Sequence, residues 1–130
     1  MWRDYLSKAE TNLEAAERDF EHSGYDPCVS RAYFAAFHAA LAALLALTDF
    51  QQRGRYWDHS HIASEFVRRL IRRRRVFPAA LSNTLDDLIS QRHQADYTDS
   101  HMSRTRAGQS LGTARSFVGR ISATLRGKGP

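Results

Sequence analysis

The sequence predicts an all-α fold, an antiparallel up-and-down bundle of four to five helices, on three observations. Apolar residues recur at alternating spacings of three and four over long segments, which places them on one face of a helix. No long segment alternates polar and apolar residues as strands do. Only three prolines and seven glycines interrupt 130 residues. We therefore expect one helical domain over residues 1–125, followed by a disordered tail at 126–130.

The first two predicted helices differ in how much of their surface is apolar. The first spans residues 3–22. Its stripe consists of Trp2, Leu6, Ala9, Leu13, Ala16 and Phe20. Asp26 and Pro27 suit an N-cap and a first helical position, so the second helix is predicted over 27–48. It is apolar nearly all round and should be the central core helix, since its apolar run at 32–47 is short for a membrane span.

The remaining helices follow the same spacing rules. The third is predicted over 59–74 and the fourth over 78–95, and a proline between them disfavours a helical conformation in the residue before it. The last is predicted over 103–125, with Ser100 or Ser103 as its cap. Its stripe consists of Ala107, Leu111, Ala114, Val118, Ile121 and Leu125.

Charge is distributed unevenly along the chain. Residues 1–30 carry seven acids and three bases, whereas residues 51–130 carry fifteen bases and six acids, and the net charge is +5. A basic side favours nucleic acid, nucleotides or an acidic protein as partners, although the same charge also serves solubility and helix C-termini. Cys28 is alone and no secretory leader is recognisable, which predicts a cytoplasmic protein without a membrane partner.

The most informative candidate is Arg92, because helical spacing places it inside. It continues the apolar stripe of Leu85 and Leu88 on the fourth helix. An arginine does not lose its proton, so a buried one needs a carboxylate, carbonyl groups or a bound anion. Asp96, four residues on, can be a structural partner. Alternatively, Arg92 points into a cleft and binds phosphate.

The second helix holds titratable groups in an apolar segment. His38 and Tyr33 are each explained by a core position with a hydrogen-bond partner, or by a position in a cleft. Arg31 shares a helical face with His38. The histidines lack the spacing of a metal site: His59 and His61 do not share a helix face. We expect no metal and no cofactor.

Arginines crowd the end of the third helix. They are Arg68, Arg69, Arg72, Arg73, Arg74 and Arg75. They are explained by contacts to a phosphate backbone or by a solvated face at a helix C-terminus. The loop that follows the second helix mixes Arg53 and Arg55 with Tyr56 and Trp57, which suits base stacking or closure of the bundle end.

Two stretches resemble motifs of HEPN domains. Ser-Arg-Ala-Tyr-Phe-Ala-Ala-Phe-His-Ala-Ala at 30–40 resembles the Arg-Ala-Tyr-Tyr-Ala-x-Phe-His motif of one HEPN subgroup. Arg-His-Gln-Ala-Asp-Tyr at 92–97 resembles its Arg-x-x-Ala-Asp-Tyr motif. His59 with Phe66 is similar to the subgroup's histidine at the start of the third helix. The resemblance covers about residues 3–122.

The resemblance implies a bundle of four long helices and a short one, usually dimeric. Many members are ribonucleases that act as toxins, and others associate with a nucleotidyltransferase. In active members an arginine is followed by four to six residues and then a histidine. Here Arg92 matches the arginine, but Tyr97 stands at the histidine position, His93 is adjacent to Arg92 and His101 lies nine residues after it.

Two functions are therefore predicted as alternatives. The first is a homodimeric binding module of a toxin–antitoxin or nucleotidyltransferase-associated system, which binds RNA, nucleotide or a partner protein. Its cleft would centre on Arg92, Asp96 and Tyr97 and would also include Arg31, Tyr33, His59 and His101. The second is a metal-independent ribonuclease that uses Arg92, Tyr97 and a histidine across a dimer, with His38 as the first candidate.

Overall fold

The computed structural model describes residues 1–51 and 57–127, and these residues form helices and turns without a strand. The helices are α1 Trp2–Glu21, α2 Tyr25–Leu47, α3 His59–Phe66, α4 Thr84–Tyr97 and α5 Arg104–Ser122. α3 continues as a π-helical segment, Val67–Arg73, and α5 continues as another, Ala123–Gly127. A short 3₁₀ turn, Ala79–Leu81, precedes α4. The predicted all-α bundle is confirmed.

The long helices run up and down. Short turns join α1 to α2 and α4 to α5, so each of these pairs is antiparallel. α1 and α5 are also antiparallel, since Glu17 pairs with Arg115 while Glu10, nearer the start of α1, pairs with Arg126. One end of the bundle therefore holds the start of α2 and the α4–α5 turn. The other end holds the end of α2, the π-helical segment after α3 and the end of α5.

α2 is the centre of the bundle, as its composition predicts. Its alanines and leucines from Ala32 to Leu44 are buried against α1, α4 and α5. By length and composition alone α2 could cross a membrane, but 72% of its most apolar window is buried by the rest of the protein. That degree of burial is typical of a core helix.

Helix boundaries differ from the prediction at three places. α2 begins at Tyr25, so Asp26 is not its N-cap: the Asp26 carboxylate instead accepts the Met102 N–H at 2.8 Å. α4 begins at Thr84, after the 3₁₀ turn, and it ends at Tyr97. Helical backbone also reaches Gly127, which makes the first two residues of the predicted tail helical.

Two predictions about loops can be compared with the structure. Ser103 caps α5, because its hydroxyl accepts the Arg106 N–H at 3.1 Å. In the loop after α2, Arg53, Arg55 and Tyr56 lie outside the described residues. Trp57 donates from Nε1 to the Tyr5 hydroxyl at 3.1 Å and so helps to close the end of the bundle.

Candidate functional site

A groove of about 540 Å³ lies where α1, α2 and α4 meet. Its lining is part polar and part apolar, and it consists of Asn12, Asp26, Pro27, Ser30, Arg31, Phe34, Ala95 and Asp96. Two predicted cleft residues, Arg31 and Asp96, are in this lining. We call it the Asp96 groove.

Arg92 lies beside the Asp96 groove on a platform of aromatic rings. Its guanidinium carbon is 4.6 Å from the ring centre of Phe34, 5.7 Å from that of Tyr33 and 5.9 Å from that of Tyr97. The side chain is only 18% exposed. The inward position predicted from helical spacing is the position found, and cation–π contacts stabilise the charge there.

Arg92 has an ion pair but no hydrogen bond among the residues that the structure describes. Its Nε lies 3.2 Å from Asp96 Oδ2, which is ion-pair distance, but the N–H does not point at the oxygen and Nε is buried without a hydrogen bond. Asp96 Oδ2 instead accepts the Ser30 hydroxyl. Arg92 makes no hydrogen bond to any other residue that the structure describes. A buried guanidinium in this state can still bind an anion.

Tyr33 and His59 lie behind the Asp96 groove rather than in its lining. The Tyr33 hydroxyl and His59 Nδ1 share a hydrogen bond, and Phe37 stacks on the His59 ring at 4.3 Å. Burial raises the pKa of Tyr33 and lowers the pKa of His59, and the positive charge of Arg92 lowers the latter further. Both groups are therefore neutral at pH 7, and each is the hydrogen-bond partner of the other.

His38 lies next to the aromatic platform, with its ring centre 6.4 Å from that of Phe34. Its ring stacks on Tyr5 at 6.1 Å, and its Nδ1 is buried without a hydrogen bond. Burial lowers the pKa of His38, and the neighbouring Phe34 carbonyl offsets this only in part.

His101 and Tyr97 are the exposed candidates. The His101 ring is 90% exposed, and its Nδ1 lies 3.1 Å from Asp26 Oδ2, a carboxylate in the groove lining. Tyr97 is 68% exposed and packs against His93. Arg31 is half-exposed and pairs with Asp19 at 3.0 Å. These groups surround the groove with both signs of charge.

Three residues of α2, spaced by four, set the order of groups along the Asp96 groove. The Phe34 ring makes a cation–π contact with the Arg92 guanidinium, and the Ser30 hydroxyl donates a hydrogen bond to Asp96. The Asp26 carboxylate lies within hydrogen-bond distance of His101 Nδ1. At 1.5 Å per residue, Phe34 and Asp26 are about 12 Å apart along the helix. The groups along the groove are therefore spread over about two turns of α2, a length that suits an extended ligand.

The arginine run after α3 divides into two groups. Arg68 and Arg69 both donate to Glu65, Arg69 also pairs with Asp49, and Arg74 donates to the Leu47 carbonyl at 2.6 Å. The hydrogen bonds from Arg68 lead the causes that lower the pKa of Glu65 to about 2. Arg69 and Arg74 thus hold the end of α2 against the end of α3, while Arg68 bonds only Glu65 on its own helix.

Arg72, Arg73 and Arg75 form the second group. They are exposed and make no ion pair within residues 1–51 and 57–127. The six arginines predicted as phosphate contacts are thus not equivalent, and this second group is the one whose donors are available to a ligand.

Sequence reasoning missed the α2 residues that build the groove. The sequence distinguishes Ser30 and Phe34 only as members of the stretch that resembles the HEPN motif, although they contact Asp96 and Arg92. The spacing of Asp26, Ser30 and Phe34, each four residues apart, was a signal that could have identified this face. Among the described residues, no group of three or more His, Cys, Asp or Glu side chains is arranged to hold a metal ion.

Comparison with protein families agrees with this architecture. A family model described as HEPN domain matches residues 2–123, nearly the whole chain. No curated protein matches the chain at a significant level. The chain belongs to the HEPN family, whose general role concerns nucleotides and RNA.

Proposed function

We propose that this HEPN domain binds the phosphate backbone of single-stranded RNA in the Asp96 groove. One observation carries the proposal: Arg92 is four-fifths buried on an aromatic platform, yet the described part of the chain gives its guanidinium no hydrogen bond. Its fixed position lets it bind an anion without first losing side-chain freedom.

The shape and composition of the groove support an extended ligand. The groove extends about 12 Å along α2 from Phe34 to Asp26, and its volume is about 540 Å³. Arg92 can contact one phosphate, while Tyr97, 68% exposed at the groove edge, offers a ring on which a base can stack. Asp96 and Asp26 repel phosphates, so the ligand would be held at Arg92 and Arg31 and kept off the carboxylates.

We also propose that the domain works as a homodimer in a toxin–antitoxin or nucleotidyltransferase-associated system. Family membership supports this setting, since HEPN domains commonly dimerise. Light scattering should give twice the 14.8 kDa mass of the chain. A nucleotidyltransferase recovered with the tagged protein would support the partner. A mass of one chain at working concentration would contradict the dimer.

A metal-independent ribonuclease is the second candidate, and the His101–Asp26 pair favours it. A carboxylate beside a histidine can orient the ring for proton transfer, and Arg92 could stabilise charge on the phosphate. However, Arg92 and this pair are about two helical turns apart in one chain. Cleavage would need the partner subunit to bring the two together, so binding is better supported.

Fluorescence anisotropy with a labelled short single-stranded RNA tests the binding proposal. Arg92→Met keeps the apolar contact with Phe34 and removes the charge, so affinity should fall about tenfold or more, the loss of one charge-assisted contact. The matched control is Arg3→Met, because Arg3 also lies over an aromatic ring, Trp2 at 4.4 Å, but outside the groove. Equal affinity of the two variants would overturn the proposal.

Incubation of total RNA with the protein and a chelator tests the ribonuclease. Cleavage that disappears in both Arg92→Ala and His101→Ala would establish the enzyme. RNA that stays intact while anisotropy reports binding would leave the binding module as the function. Cleavage that survives both substitutions would point to a contaminating nuclease.

A further inference from the structure

A second groove, of about 600 Å³, lies at the end of the bundle away from the α4–α5 turn. Its rim carries Arg72, Arg75 and Arg120, and its apolar side includes Ile71, Val76 and Pro78. Arg72 is in the π-helical segment, Arg75 in the turn after it, and Arg120 in the last turn of α5. Three parts of the chain thus bring three guanidinium groups to one groove, which we call the Arg120 groove.

The three arginines have no counter-charge among the described residues. No acidic side chain of residues 1–51 and 57–127 lines the Arg120 groove, and none of the three makes an ion pair or a side-chain hydrogen bond to those residues. Arg68, Arg69 and Arg74, from the same run, are all bonded to protein acceptors. Position in the arginine run therefore does not explain why Arg72 and Arg75 lack an acceptor among the described residues.

Arg75 is held in a conformation that suits glycine better. Its φ is +53°, in the left-handed region, which non-glycine residues avoid. The Val76 and Phe77 N–H groups both donate to the Leu70 carbonyl and fix this turn. A strained backbone at a residue with an open charged side chain is a reason to look for a function of that side chain.

We propose that the Arg120 groove is a second phosphate-binding site, occupied by the backbone of the same single-stranded RNA. This rests on the proposed function of the Asp96 groove. Guanidinium groups bind phosphate oxygens in pairs, and three of them without a carboxylate nearby suit a polyanion. Val76, 37% exposed, gives an apolar surface for sugar or base. An acidic peptide is the competing occupant, and the test separates it from RNA.

The salt dependence of RNA affinity is the measurement. The triple variant R72Q/R75Q/R120Q removes three phosphate contacts, so the slope of log affinity against log salt should become shallower by about 2. The control triple variant R3Q/K8Q/R18Q removes the same charge from exposed basic residues of α1 outside the groove, and its slope should stay near that of the wild type. Thermal unfolding shows that both are folded.

The outcomes distinguish the two grooves. If the groove variant keeps the slope of the control while Arg92→Met loses affinity, the Arg120 groove is rejected and the Asp96 groove stands. If wild-type protein binds no RNA, both proposals fail. If a glutamate-rich peptide binds wild type and not the groove variant while RNA affinity is unchanged, the groove is a protein-docking site and the phosphate assignment is wrong.

Discussion

Glu65 and Arg92 are the centres of two partly buried charged sites that the protein treats in opposite ways. The Glu65 side chain is 10% exposed and accepts hydrogen bonds from Arg68 and Arg69, so its charge is fully compensated. Arg92 is 18% exposed, sits on aromatic rings and has no protein hydrogen bond among the described residues. Similar burial thus accompanies complete hydrogen bonding at one site and, at the other, a guanidinium that has the Asp96 ion pair but no hydrogen bond among the described residues.

The difference separates structural charge from charge that is free to act. Pairing at Glu65 ties α3 to the start of the π-helical segment and, through Arg69 and Asp49, to the end of α2. Arg92 ties no helices together by hydrogen bonds, so its burial must be explained otherwise. By the number of arginines alone, the run after α3 would be the leading candidate for ligand binding. By the hydrogen-bond partners of each arginine, the leading candidates are Arg92, Arg72, Arg75 and Arg120.

The largest expected effect is the loss of the Glu65 charge. The pKa of Glu65, lowered from 4.5 to about 2, corresponds to about 3 kcal/mol of unfolding free energy. Glu65→Gln should lower stability by that order in urea unfolding, because Arg68 and Arg69 then lose the carboxylate charge and one of its two acceptor oxygens. The control is Glu14→Gln, an exposed acid on α1. A loss no larger than the control's would contradict the structural role.

Arg92→Met should leave stability nearly unchanged and lower RNA affinity, unlike Glu65→Gln. Methionine keeps the contact with Phe34 and removes an unsatisfied buried donor, so unfolding free energy should change by less than about 1 kcal/mol. RNA affinity should nevertheless fall. Arg69→Met is the comparison variant: it should cost about 1–3 kcal/mol and leave RNA affinity unchanged. If Arg92→Met lowers the free energy of unfolding as much as Arg69→Met does, Arg92 has a structural role like that of Arg69, and the proposed difference between the two sites is wrong.

The sequence predicted the bundle well because its information is local and repeated. The α1 and α5 stripes place the same side chains inside that the structure buries, and the all-apolar α2 is the core. The inward position of Arg92 followed from the same periodicity. Boundaries failed where tertiary contacts compete with local signals: Asp26 looks like a cap but bonds Met102, 76 residues away.

The grooves were harder to predict, because they depend on which side chains from distant segments meet. Tyr33 and His59 look like cleft residues in sequence, yet their mutual hydrogen bond across 26 positions satisfies both. Arg120 looks like an ordinary solvent-facing arginine of α5. Only the folded chain shows that it joins Arg72 and Arg75 at one groove.

Acidification should weaken the aromatic platform beside Arg92 while the Glu65 site stays intact. Burial lowers the folded-state pKa of His38 and His59 below 6.5, so the unfolded chain binds more protons as pH falls below that value. Their stabilising contribution is present above about pH 6.5 and is lost on acidification. Glu65 contributes no change until pH falls below 4.5.

Urea midpoints between pH 7.5 and pH 5 measure this effect. The wild-type midpoint should fall over this range, and the decrease should be smaller in His59→Gln, which removes one of the two titrating groups. His61→Gln is the control, because His61 lies on the exposed side of α3. A midpoint that rises on acidification would show that these histidines gain, rather than lose, stability when protonated.

The smallest expected effect concerns Arg75, where backbone strain and a guanidinium unpaired among the described residues occur in the same residue. Arg75→Gly relieves the left-handed backbone, so stability should stay the same or rise by up to about 1 kcal/mol, while RNA affinity should fall because an open guanidinium is removed. Thermal unfolding and anisotropy on the same sample measure both. Arg73→Gly is the control, since Arg73 lies in the π-helical segment and glycine should destabilise it. A gain in stability without any loss of affinity would mean that the strain at Arg75 serves no ligand.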